Sequence, residues 1–122
     1  MTSILIFGHD ALLLETRSRL LEQTGYQVCR VANFDDLERI LAAGQIDLLV
    51  LCHSLSMEEC ERSIALTFAW PQMKSLILTA GPKGYADQIT GAVLDAMDGP
   101  AKLLSTVGKL VESESKAHTH IY

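Results

Sequence analysis

Cys52 and His53 follow an unbroken apolar run, Asp47-Leu48-Leu49-Val50-Leu51, and His9 and Asp10 follow another, Ile4-Leu5-Ile6-Phe7-Gly8. If the two runs are neighbouring strands, a thiol, two imidazoles and a carboxylate converge at one crevice. Cysteine with histidine suits Zn²⁺ or another soft cation. A protonated imidazole beside a thiol lowers its pKa and favours a redox-sensitive thiolate. Against both, consecutive residues of a strand point to opposite faces, which parts Cys52 from His53 if the strand continues through both. A free cysteine at a strand end is most often a small buried side chain without reactivity. Cys52 therefore has three readings: inert packing, thiol redox sensing, or transition-metal sensing with His9 and His53.

Other chemistry-bearing residues form no pattern. His118 and His120 lie in a polar stretch where isolated histidines are ordinarily solvated. The loop Gly8-His9-Asp10-Ala11 has one glycine and an acid that repels phosphate, and no Walker, GxGxxG or GxSxG pattern occurs. An enzyme is the least supported class, and no residue is assigned a catalytic role. Fifteen acids against ten Lys and Arg, net charge −5, disfavour binding to nucleic acid or an anionic membrane surface. The three cysteines show no CxxC spacing and fit a reducing compartment. Met1-Thr2-Ser3 lacks the basic start of a signal peptide, and no apolar run is long enough for a membrane span, so a cytoplasmic location is expected.

The elements that must position these residues can be read in order. With 122 residues, 48% hydrophobic and 20% charged, the chain has the size of one globular domain. The run from Asp47 to Cys52 has no polar alternation and reads as a central strand covered on both faces. Ile4 to Phe7 is a first strand, and Asp10 caps a helix carrying Leu12, Leu13, Leu14, Leu20 and Leu21. Gly25 ends that helix, Tyr26 to Val31 is a strand, and Asn33 caps a second helix with Phe34, Leu37, Ile40 and Leu41, ended by Gly44. Ser56-Met57-Glu58-Glu59 has the form of a capping box opening a third helix to about Phe68, before Pro71. Trp70 covers the end of that helix, Cys29 and Cys60 read as packing residues, and Met57, Met73 and Met97 as gap fillers or surface residues.

Leu76 to Thr79 is a fourth strand, Gly81-Pro82-Lys83-Gly84 a turn, and Tyr85 to Thr90 a short fourth helix. Val93 to Met97 is a fifth strand. Pro100 opens a last helix with an apolar stripe of Leu103, Leu104, Val107, Leu110 and Val111. Residues 112–122 are expected to be a frayed polar tail. Alternating strands and helices with short loops make a three-layer α/β domain on a parallel sheet.

Over residues 3 to 111 the chain resembles a CheY-like response-regulator receiver domain. The likeness is carried by Ile4-Leu5-Ile6-Phe7, by Leu20-Leu21-Glu22 leading to Gly25-Tyr26-Gln27-Val28, by Ala32-Asn33, by Asp47-Leu48-Leu49-Val50-Leu51, by Thr79-Ala80 and by the Gly99-Pro100 turn. It implies a flavodoxin-like, doubly wound five-stranded sheet of order 2-1-3-4-5, with the receiver over residues 1–111.

A receiver moves a phosphoryl group from a histidine kinase to its own aspartate, with Mg²⁺ held by acids and with a lysine and a hydroxyl on the phosphoryl oxygens. The resemblance puts the family's acid pair on Gly8 and His9, its third acidic position on Asp10, and its phospho-accepting aspartate on Cys52. The lysine falls on Gly99, or on Asp98 if the register shifts by one, and the aromatic switch position falls near Ala96. Only Thr79 and Ala80 are kept. The nucleophile, the acid pair and the lysine are all missing, so a pseudo-receiver is expected. It would serve two-component or phosphorelay signalling through protein–protein interaction, without aspartyl phosphorylation, cofactor or metal. A signalling kinase or an output protein is the expected partner, and a homodimer is left open. The face used would be that of Tyr85, Gln88, Asp95, Lys102 and Lys109.

Overall fold

The computed structural model describes residues 2–79, 92–95 and 99–119. Five parallel strands, β1 (Ser3–Phe7), β2 (Gln27–Val31), β3 (Leu48–Leu51), β4 (Lys74–Thr79) and β5 (Ala92–Asp95), form one sheet of order β2-β1-β3-β4-β5. The helices among the described residues are α1 (Ala11–Gln23), α2 (Phe34–Ala42), α3 (Met57–Thr67) and α4 (Pro100–Thr119). The expected short helix over Tyr85 to Thr90 lies outside the described residues, as do Ala80, Ala96 and Asp98.

The sheet is covered on both faces, and the strand period of two sorts the core accordingly. Ile4, Ile6, Leu48, Val50, Leu76 and Leu78 pack toward Leu14 and Leu21 of α1 and Leu103 and Val107 of α4. Leu5, Phe7, Leu49, Leu51 and Ile77 pack on the other side with Leu37 and Leu41 of α2 and Cys60 of α3. The run that alternates with nothing polar is thus the centre of a three-layer domain. Trp70 packs beside this second cluster at the end of α3.

Local chemistry sets the helix boundaries. The Asp10 carboxylate accepts from the Leu13 N–H, Asn33 does the same for the Asp36 N–H, and Ser56 and Glu59 complete a reciprocal capping box. After α1 the chain reverses through Gly25 at φ 109°, with Tyr26 N–H donating to the Leu21 carbonyl and Gly25 N–H to that of Glu22. This Schellman arrangement needs a left-handed residue that glycine adopts without a Cβ clash. Two expectations are corrected. The last helix, expected to stop at Val111, runs to Thr119, because residues 112–119 contain no proline or glycine to end it. Cys29, expected to pack, is exposed, because β2 is an edge strand and, of its residues, only Val31 is buried.

Candidate functional site

Gly8 and Cys52 meet just beyond the carboxyl ends of β1 and β3, where ligands of doubly wound sheets bind. The Cys52 N–H donates to the Phe7 carbonyl at 2.9 Å, which carries the pairing of β1 and β3 one residue further. The approach is so close that a Cβ on residue 8 would stand 2.8 Å from the Cys52 Cβ, 3.1 Å from the Ser54 Oγ and 3.2 Å from the Cys52 sulfur. Glycine is required here by contact with its neighbour. A carboxylate at position 8 has no room while Cys52 and Ser54 stay where they are.

His9 leaves the crevice. Its backbone N–H donates to the Ser54 hydroxyl at 2.8 Å, and its ring Nε2 lies 2.7 and 2.9 Å from the two oxygens of Glu59. A carboxylate can only accept, so Nε2 carries the proton of that bond. Glu59 also accepts from the Ser56 N–H at 2.9 Å as part of the α3 capping box. That bond, helped by His9, holds the Glu59 carboxyl below the usual glutamate range, and partial desolvation opposes it. The same residue therefore starts α3 and draws His9 outward. Asp10 is used as the α1 cap. Asp47 is at the opposite, amino-terminal end of the strands, where its carboxylate accepts from the Ser3 N–H at 2.8 Å.

Arg17 is the side chain that sequence reasoning missed. It is only 8% exposed, and its Nη1 is buried without a hydrogen-bond partner among the described residues. Burial pushes the Cys52 thiol above its ordinary value. The Arg17 guanidinium pulls the other way by charge and by hydrogen bonding, and Asp10 adds a further upward push. The signal for Arg17 was present as spacing, since Leu14, Arg17, Ser18 and Leu21 make one buried stripe of α1. Two polar residues interrupt an otherwise apolar stripe, whereas Leu12 of the same helix is 71% exposed.

The Thr79 hydroxyl is buried at the end of β4 and lies 3.5 Å from the Leu94 carbonyl, to which it donates. Gly99, at φ 90°, gives the left-handed turn into Pro100 and brings no charge. His53 is half-buried with Nδ1 unpartnered, and no group of three or more His, Cys, Asp and Glu among the described residues could hold a metal ion. The convergence of His9, Asp10, Cys52 and His53 required for metal sensing is not formed there. Lys102 and Lys109 are exposed along α4. Asp95 lies in β5, and Tyr85 and Gln88 are outside the described residues. No helix among the described residues is long and apolar enough to cross a membrane.

No protein-family model matches the chain, and no curated protein matches it. Solved structures do. A CheY-like response regulator receiver domain protein from Methanospirillum hungatei is 23% identical with a TM-score of 0.81, over 95% of this chain and 98% of that one. The chemotaxis protein CheY4 of Vibrio cholerae is 16% identical with a TM-score of 0.76, over 90% and 98%. A Burkholderia thailandensis chain, provisionally named for pilus assembly, is 20% identical with a TM-score of 0.75, over 92% and 99%. The fold is that of CheY-like response-regulator receiver domains.

Proposed function

We propose that the chain is a pseudo-receiver, a signalling module of two-component or phosphorelay type that acts by binding a protein partner and is not switched by aspartyl phosphorylation. The observation that carries this reading is the contact between Gly8 and Cys52. The place of the phosphoryl-accepting carboxylate holds a buried thiol, and the place of the metal-binding acid holds a residue with no space for a side chain. His9 is taken by Glu59, and a thiol and an imidazole are poor partners for Mg²⁺, which takes oxygen ligands. The residues present do not fit that metal. Without nucleophile, metal or lysine, the main electrostatic contributions to phosphoryl transfer are lacking.

The solved relatives favour a role for the fold itself, since receiver-like chains carry names as different as chemotaxis and pilus assembly. A kinase or output protein is the partner class, and the face bearing Lys102 and Lys109, with Tyr85, Gln88 and Asp95, is the proposed contact, for a partner or a second copy. The thiol-redox alternative is less favoured, because Cys52 is buried and its thiol is pushed up by that burial. The direct check of the site is a Mg²⁺ titration followed by amide chemical shifts. The Gly8, His9 and Cys52 resonances are expected to stay in place at millimolar metal. Saturable shifts centred on them would overturn the reading.

A further inference from the structure

On the α1 side of the sheet a cavity of about 310 Å³ opens between α1, β4, β5 and the start of α4. Five leucines line it, Leu13, Leu20, Leu78, Leu94 and Leu103, and Arg17 is the only charged residue among the described lining residues. Arg17 is buried, takes part in none of the ion pairs formed among the described residues, and keeps Nη1 without a partner. A buried charge without a counter-ion is costly, and a guanidinium is shaped to bind a planar carboxylate. The neutral Cys52 thiol beside it cannot balance the charge. An apolar chamber whose one cation has no ion-pair partner among the described residues is complementary to a molecule that is mostly hydrocarbon and carries one negative charge. A phosphate dianion fits less well, because it would bring two charges and their hydration into leucine walls against a single cation. The volume lies near the lower end of the range for ligand cavities, roughly 300–1,000 Å³, which limits the hydrocarbon body to a short one.

We propose that this cavity binds a small apolar monocarboxylate, with Arg17 as counter-ion and the leucines of α1, β4, β5 and α4 as the walls. The assignment does not depend on the pseudo-receiver reading: Gly99, where the family's lysine is missing, is on the cavity lining, but Arg17 and the leucines carry the proposal.

The test is calorimetric titration of the full chain with sodium octanoate, 1-octanol and inorganic phosphate. Octanoate is expected to bind saturably with one-to-one stoichiometry, octanol about tenfold more weakly, and phosphate neither to bind nor to compete. Arg17→Gln is expected to weaken octanoate about tenfold and leave octanol within about twofold. Leu20→Trp, which fills the cavity from a half-exposed position of α1, is expected to remove binding of both. The wild-type comparison of octanoate with octanol decides the matter even if Arg17→Gln does not fold. Absence of saturable octanoate binding, equal affinity for octanoate and octanol, displacement by phosphate, or an unchanged octanoate affinity in folded Arg17→Gln would each overturn the proposal.

Discussion

Gly8 shows how a single missing side chain can report on chemistry. Its Cβ position is occupied by Cys52, so Gly8→Ala is expected to destabilise the fold by about 1–3 kcal/mol in chemical denaturation, the usual cost of overpacking. A variant as stable as the wild type would mean that the two strand ends are not held so close. The thiols make a second residue-scale prediction. Cys29 is exposed, whereas Cys52 and Cys60 are buried and burial pushes both their thiols up. A thiol reagent at neutral pH should therefore modify one cysteine quickly, Cys29, and reach the other two only as the protein unfolds; rapid modification of Cys52 would favour the redox reading. Cys52 and Gly8 were both legible from strand position in the sequence. Arg17 was not, because an arginine in a helix is ordinarily solvated and nothing in residue type alone marks one whose stem and head are enclosed.

At the scale of elements, α3 and the loop after β1 are tied through Glu59, which closes the capping box and bonds His9. Its carboxyl is held low in the folded state, chiefly by the Ser56 N–H and then by His9. A depressed folded value means that Glu59 stabilises the fold above the unfolded glutamate pKa, near 4.3, and that this contribution is lost as pH falls through the lower folded value. Glu59→Gln keeps an acceptor for the Ser56 N–H and loses only the charge, so it is expected to cost less than about 1 kcal/mol at neutral pH, the His9 pair being exposed. The thermal stabilities of the two proteins should converge as pH falls below the unfolded glutamate value and through the lower folded one. A constant difference across that range would contradict the assignment. The capping box itself was readable from Ser56-Met57-Glu58-Glu59, since the motif is local. The bond to His9 spans 50 residues of sequence and required the strand order to be known. The length of α4 is hidden for the opposite reason, since polar composition is no end signal and residues 112–119 hold no breaker.

For the whole molecule, the two covered faces of the sheet follow from periodicity and element sequence, whereas the sheet order, and with it the crevice at the ends of β1 and β3, follows from the resemblance to receiver domains, and the solved receiver domains share that fold at low identity. The scaffold was therefore legible well before the site. Packing patterns tolerate many residues, whereas phosphoryl transfer tolerates few. The central claim, that this scaffold has no aspartyl-phosphate chemistry, is tested most directly by the intact mass of the purified protein. It would be incubated with a small-molecule phosphodonor and Mg²⁺ and read before and after mild hydroxylamine. The account predicts an unchanged mass at every stage. A gain of one phosphoryl group that hydroxylamine removes would show that an acid, Asp10 or Asp47, accepts phosphate, and would contradict it.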